Sequence, residues 1–240
     1  MPVPTRPTPI PLTVLTGFLG AGKTTLLNRL LKDPALANTA VLINEFGSVS
    51  IDHLLVERSD DGIIELSSGC LCCTVRGDLV VALENLLKRI DNGRSAPLDR
   101  VMIETTGLAD PAPILHTVLT HPYLRLRYQL DGVVTLVDAV NGMATLNAQE
   151  EAVKQAAVAD RLVVSKTDLV ADAASLAALI ARLERLNPTA VLLDAAEGEA
   201  QAGRLFDTSL YDPQSKTPEV ARWLAAEAFR EGGGGAAPGR

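Results

Sequence analysis

Gly17-Phe18-Leu19-Gly20-Ala21-Gly22-Lys23-Thr24 is the stretch whose reading decides the fold. It satisfies G-x-x-x-x-G-K-[ST] at every fixed position. Ahead of it runs LTVLT (12–16), short and β-branched. Behind it runs KTTLLNRLLK (23–32), with apolar residues at helical spacing. Strand, glycine-rich turn, helix is the context this pattern requires. The glycines let the backbone fold so that its N–H groups face inward around a phosphate, and the helix adds its positive end. Lys23 is then placed to reach β- and γ-phosphates, and the Thr24 hydroxyl to bind Mg²⁺.

Outward from that loop the chain alternates between short β-branched runs and longer helical patterns. Strands are expected at Leu12–Thr16, Ala40–Asn44, Gly62–Leu66, Arg100–Glu104, Gly132–Asp138, Arg161–Ser165 and Ala190–Asp194. Helices are expected at Lys23–Lys32, Leu79–Ile90 and Ala174–Leu186, with shorter ones around Pro111–Leu119 and Ala148–Val158. Several strands are apolar throughout, as when both faces are covered. The fold class is α/β: a mainly parallel sheet flanked by helices, with right-handed crossovers. Residues 1–11, with five prolines (2, 4, 7, 9 and 11), read as an extended arm; 12–230 form one nucleotide-binding domain; 231–240, EGGGGAAPGR, read as a flexible tail.

Composition narrows the function. The chain has 240 residues, 47% hydrophobic and only 3% aromatic, so its core is aliphatic. Lys and Arg total 22 against 29 acids, a net charge of −7 that argues against a nucleic-acid-coating or membrane-surface protein. No apolar run approaches the roughly 18 residues of a membrane span. The three cysteines, Cys70, Cys72 and Cys73, are too close together to staple a fold, which fits a reducing, cytoplasmic setting.

Ser165-Lys166-Thr167-Asp168 follows an apolar strand at the edge where nucleotides bind. A carboxylate such as Asp168 accepts from both N1–H and the exocyclic amine of guanine, a donor pair adenine lacks. Lys166 would lay its stem along the base. Ser165 stands where guanine-reading loops commonly have Asn, and a plain strand-end cap is the competing reading of Asp168. Glu104-Thr105-Thr106-Gly107 ends another strand; an acid there can hold a Mg²⁺-bound water, and the Gly107 amide can sense the γ-phosphate. Asp138 is a rival acid at the end of its own strand, and a helix cap is the competing reading of both acids. Asn44–Gly47 reads as a switch segment in which Glu45 positions the attacking water or contacts a metal. With no evident arginine finger, hydrolysis is expected to be slow until a client or a homodimer partner completes the site.

Ser67-Ser68-Gly69-Cys70-Leu71-Cys72-Cys73-Thr74 lies between a strand and a helix. Thiolates bind borderline and soft ions, Zn²⁺ and Cu⁺ above all with Co²⁺ and Ni²⁺ as alternatives, and a looped backbone could converge all three; availability and tetrahedral tolerance favour Zn²⁺. His53, His116 and His121 are candidates for a fourth position; buried free thiols or a redox pair are the competing readings.

Taken in order, GFLGAGKTTLLN, INEFG, SSGCLCC, ETTGLADPAPI, LDGVVTLVDAV and ADRLVVSKTD resemble the CobW-type P-loop GTPases, relatives of the hydrogenase and urease nickel-insertion GTPases. The resemblance implies a SIMIBI-like P-loop NTPase domain. It also implies that Gly20, Ala21, Gly22, Lys23, Thr24 and Thr25 line the phosphates of GTP or GDP. Lys166 and Asp168 would read guanine, Cys70, Cys72 and Cys73 would ligate a transition metal, and Mg²⁺ would assist hydrolysis of GTP to GDP and phosphate. A client metalloprotein would receive the ion. Zinc delivery, cobalt handling for cobalamin synthesis and nitrile hydratase activation are the branches of the family. Ser48 stands where the family commonly has Glu, and the resemblance ends without the family's C-terminal domain or its His-rich stretch. A P-loop small-molecule kinase and a non-catalytic metal buffer are the other classes consistent with these motifs.

Overall fold

The computed structural model describes residues 8–44, 63–65, 75–206 and 211–232. Seven strands form one parallel sheet: β1 (Ile10–Gly17), β2 (Thr39–Asn44), β3 (Ile63–Glu65), β4 (Arg100–Thr105), β5 (Tyr128–Asp138), β6 (Arg161–Ser165) and β7 (Val191–Asp194). Their order is β3-β2-β4-β1-β5-β6-β7. Every expected strand is present, within a few residues of its expected ends. β1 takes in Ile10 and Pro11, assigned from sequence to the arm, because they register with Tyr128 and Gln129 of β5.

Period-2 alternation sorts the strand residues between the two faces. Leu12 and Val14 of β1, and Val101 and Ile103 of β4, pack on one side with Leu83, Leu87, Leu115 and Leu124. Leu15 and Met102 point the other way, toward Leu26, Leu27 and Leu30. A third cluster gathers Val137, Leu162 and Val164 with Leu179 and Leu183. Continuous apolar strands are therefore what a sheet with two covered faces demands.

The helices are α1 (Lys23–Leu30), α2 (Val75–Asp91), α3 (Ala112–Thr120), α4 (Leu124–Arg127), α5 (Gly142–Ala148), α6 (Glu150–Val158), α7 (Ala173–Leu186), α8 (Ala202–Leu205) and α9 (Pro218–Gly232). α1 stops two residues short of the expected Lys32, because Asp33 caps a new 3-10 turn with Pro34 in its first position. α2 begins four residues before the expected Leu79. The expected helix around Ala148–Val158 is α6, entered from a separate short α5. α9, which alanine-rich patterning hides, inserts Val220 and Leu224 beside α3 and α6 and runs past the expected tail boundary at residue 231. Among the described residues no helix is long and apolar enough to cross a membrane.

Polar fastenings gather at the N-terminal edge of the sheet. The Arg100 guanidinium donates to Asp131 at 2.6 Å and to Thr13 Oγ1 at 3.0 Å. Lys216 Nζ donates to Ala159 O at 2.8 Å and to Asp160 at 2.6 Å. The opposite edge, where β4, β1, β5 and β6 end side by side, carries the loops that the motifs single out. It is also where the winding reverses: from β1 the chain builds out through β2 and β3, returns to β4 on one side of β1, and leaves through β5 on the other. Crevices at such a switch point are where open α/β sheets bind ligands.

Candidate functional site

The loop 17–22 leaves β1 through three glycines at positive φ: Gly17 at 139°, Gly20 at 75° and Gly22 at 93°. At Gly17 conformation and space combine, since a Cβ there would lie 2.4 Å from Leu136 O. Gly22 is the N-cap of α1, so the first-turn amides are aimed at the loop's interior. Ala21 is buried, whereas Thr24 and Thr25 face out from the first turn of α1.

Lys23 sits inside this curl. Its Nζ donates to Gly17 O at 2.8 Å and Phe18 O at 3.3 Å. Burial pulls its ammonium below the ordinary lysine range, and the neighbouring Glu104 charge partly restores it. Thr24 Oγ1 donates to Glu104 Oε1 at 3.1 Å, joining α1 to the end of β4. The two residues assigned to Mg²⁺ from sequence are thus in contact, and a hydroxyl beside a carboxylate is the hard oxygen chemistry that ion takes. Next along β4, Thr105 Oγ1 donates to Thr16 Oγ1 at 2.7 Å.

Gly107 presses on the phosphate loop. A Cβ on it would lie 2.5 Å from Leu19 N and 2.8 Å from Leu19 Cα. Loop 106–110 and loop 17–22 are therefore in direct backbone contact.

At the other end of the cradle, Ser165 Oγ donates to Ala21 O at 2.7 Å. Serine thus braces the phosphate loop from β6. Lys166 adopts the left-handed conformation at φ 60°, the one non-glycine residue to do so among those described. Its Nζ donates to Asp138 Oδ2 at 2.8 Å. Asp138, the rival acid, is occupied differently from Glu104. Its Oδ1 accepts from Val140 N at 2.8 Å and Asn141 N at 3.3 Å, and its Oδ2 from Asn141 Nδ2 at 3.1 Å. It caps the turn after β5 and holds Lys166. Asp168 lies exposed in the 3-10 turn Thr167–Leu169, whose Thr167 is tied to Asp194 of β7 at 2.7 Å.

Burial pushes the Asp138 carboxyl up, but hydrogen bonds from Lys166, Asn141 and Val140 outweigh it and hold the group below the ordinary carboxylate range. A depressed folded value stabilises the protein above the unfolded pKa and is lost as pH falls through the folded one. Asp138→Asn keeps an oxygen for Val140 N but loses the charge opposite Lys166. The variant is expected to melt about 2–4 °C below the parent at neutral pH, with the gap closing as pH falls below the ordinary carboxylate range. Melting curves at neutral pH and below that range check this, and a gap independent of pH would overturn it.

Glu45 and Cys70, Cys72 and Cys73 lie outside the described residues, as does His53. Among the described residues no group of three or more His, Cys, Asp or Glu is placed to hold a metal. His116 is buried in α3, with its carbonyl accepting from Thr120 Oγ1 at 2.8 Å, and His121 Nδ1 accepts from Leu124 N at 3.4 Å. Both have local roles on α3 and its C-terminal cap.

Motif reading does not single out Gln155 or Lys154 of α6. Gln155 Nε2 donates to Gly107 O at 3.1 Å and Ala109 O at 3.0 Å, and Lys154 Nζ donates to Asp110 Oδ2 at 3.1 Å. A lone glutamine on the buried face of an alanine-rich helix was the available signal.

Comparison with known proteins agrees with this geometry. The model of the CobW/HypB/UreG nucleotide-binding domain matches residues 11–194. The zinc chaperone YjiA of Escherichia coli is 43% identical over 201 residues, covering 84% of this chain and 62% of YjiA. The zinc-regulated GTPase metalloprotein activator 1 of Schizosaccharomyces pombe is 36% identical over 208 residues, covering 84% of this chain and 48% of its own length. The crystal structure of Zn(II)-bound YjiA GTPase from E. coli superimposes with a TM-score of 0.68 at 38% identity, over 88% of this chain and 65% of that one. The chain thus spans about half to two thirds of the length of these relatives.

Proposed function

This chain belongs to the CobW/HypB/UreG nucleotide-binding domain family, and on that premise we propose that it is a GTP-binding, GTP-hydrolysing metallochaperone. It carries a transition metal, zinc first and cobalt as the alternative, on Cys70, Cys72 and Cys73, and yields it to a client metalloprotein according to the nucleotide bound. The observation that carries this reading is the convergence on one sheet edge of the Gly17–Thr24 loop, Glu104, Gly107 and the Lys166–Asp138 pair.

In this reading the loop amides and Lys23 bind the β- and γ-phosphates, and Lys166 and Asp168 frame the guanine. Thr24 and Glu104 hold Mg²⁺, which neutralises charge on the phosphate oxygens. Glu45 orients the attacking water, and the Gly107 amide registers the γ-phosphate. The products are GDP and phosphate. The names of the relatives, a zinc chaperone and a zinc-regulated GTPase activator, support zinc as cargo. Residues 12–230 act as the nucleotide domain in the cytoplasm, with no role for nucleic acid or membrane. Leu19, Leu108, Val140 and Leu169 are each more than half exposed around the cradle, which supports a protein partner, client or second copy, covering that face.

The cysteine segment lies in sequence between Asn44–Gly47 and Glu104–Gly107, so ordering these two by GTP would tighten it. Coupling of this kind is reciprocal. Zinc affinity, measured by isothermal titration with and without a non-hydrolysable GTP analogue, is expected to differ by at least about fivefold, and Cys72→Ala to abolish the difference. Equal affinities would overturn the nucleotide-driven transfer.

A further inference from the structure

Loop 106–110, which carries Gly107, is fastened mainly from one helix. Gln155 is 1% exposed, and its Nε2 is shared between Gly107 O at 3.1 Å and Ala109 O at 3.0 Å. Gln155 Oε1 has no hydrogen-bond partner among the described residues, so the amide is oriented by its donor side alone. Gln155 borders a small pocket between the phosphate loop, β5 and α5, lined also by Leu19, Thr135 and Asn141. The adjacent Lys154 holds Asp110 at 3.1 Å, and Asp110 Oδ1 caps α3 through Ala112 N at 2.9 Å. Consecutive residues of α6 thus grip both halves of one loop.

α6 itself is anchored at both ends of that grip. Thr135 Oγ1 of β5 donates to Gln155 O at 2.7 Å. Asn187 Nδ2, at the end of α7, lies 2.9, 3.0 and 2.8 Å from the carbonyls of Ala156, Ala157 and Ala159. A helix so fixed serves as a reference against which the loop moves. Lys154 also faces outward from the loop: its Nζ lies 5.9 Å from the centroid of the Trp223 ring on α9, within cation–π range. Asp110, Lys154 and Trp223 therefore form a chain of contacts from the loop beside the phosphate cradle to the last described helix, with Glu150 of α6 as a second carboxylate on the ammonium at 3.2 Å.

Resting on the GTPase reading above, we propose that Gln155 and Lys154 are positioning residues. Gln155 sets loop 106–110 against the phosphate loop for hydrolysis, and Lys154 passes the loop's position to α9 through Trp223. When a γ-phosphate draws the Gly107 amide toward it, Asp110 moves with the loop, and the ammonium, held on α6 by Glu150 Oε1 at 3.2 Å, shifts its balance between Asp110 and the indole. α9 then differs between the GTP and GDP states although it touches no nucleotide.

Trp223 is the only tryptophan in the chain, so its emission reports this directly. The full chain is loaded with GDP or with a non-hydrolysable GTP analogue, and binding is followed in parallel with a fluorescently labelled GDP. The parent is expected to show different Trp223 emission in the two states. Lys154→Met, which keeps the stem, and Asp110→Asn, which keeps the α3 cap, should each remove the difference, and the double variant should lose no more than either. Gln155→Met should lower single-turnover hydrolysis at least tenfold while GDP affinity stays within about twofold. Lys154→Met with the parent's emission difference, or Gln155→Met hydrolysing at the parent's rate, would overturn the proposal and leave the GTPase reading standing. A parent chain that binds no guanine nucleotide would overturn both. Should Gln155→Met not fold, the Lys154 and Asp110 pair decides the matter alone.

Discussion

Lys23→Met is expected to lower GTP hydrolysis by at least about 100-fold without lowering the melting temperature. The two halves of that result have separate physical causes. Lys23 is 8% exposed, and its ammonium is satisfied by Gly17 O and Phe18 O at the throat of the loop. Burial disfavours the charged form there, which is why its pKa is lowered. Burying the charge costs desolvation, and the atoms it bonds directly are the neutral carbonyls Gly17 O and Phe18 O, so its removal strands no hydrogen-bonded counter-ion. On the proposed function its value lies in the reaction, where negative charge would spread over phosphoryl oxygens next to a donor already desolvated and aimed. Methionine preserves the apolar stem packed under the loop and removes only the charge. Single-turnover hydrolysis and a thermal melt on the same preparation check both halves. A fall of many degrees in melting temperature alongside the lost activity would make Lys23 a structural residue and defeat the argument.

How far the sequence foretold this arrangement depends on the range of the interactions involved. The phosphate loop was legible because its requirements are local: glycines at left-handed φ, a strand before, a helix after. All seven strands were legible because a sheet covered on both faces leaves continuous β-branched runs. The contact between Thr24 and Glu104, 80 positions apart, was foreseen only as two ligands of one ion. Position at a strand end leaves Asp138 open between metal ligand and cap; its bond from Lys166, just past the end of the neighbouring strand and 28 residues on, is what sequence alone does not show. Gln155 shows the limit. Nothing in QAAV announces that a side-chain amide will span two carbonyls 46 and 48 residues away, because that depends on how α6 lies over β5. α9 is hard to see for a related reason: Val220, Trp223 and Leu224 carry its inward side, and the exposed alanines 221, 225 and 226 blur the edge of that stripe.

The second large effect is expected from Gly107→Ala, which should reduce hydrolysis about 100-fold while leaving GDP affinity within a few-fold. Gly107 does not sit at positive φ, so alanine is conformationally permitted and only space opposes it. The added Cβ would stand 2.5 Å from Leu19 N and 2.8 Å from Leu19 Cα, backbone atoms that no rotamer change can withdraw. The loops 17–22 and 106–110 must then separate, and overpacking of this kind costs about 1–3 kcal/mol. The strands beneath are held by ladder hydrogen bonds, so the displacement falls on the Gly107 amide and on the Gln155 bonds to Gly107 O and Ala109 O. On the proposed function, GDP lacks the γ-phosphate and loses little, whereas hydrolysis needs that amide in register with the phosphate loop and loses most. Leu19→Ala in the same chain separates two versions of the clash. It removes the Cδ2 contact at 2.7 Å but neither backbone contact, so it should not restore hydrolysis to Gly107→Ala. Full rescue by Leu19→Ala would place the obstruction in the side chain and remove backbone contact between the two loops as the reason this position is glycine.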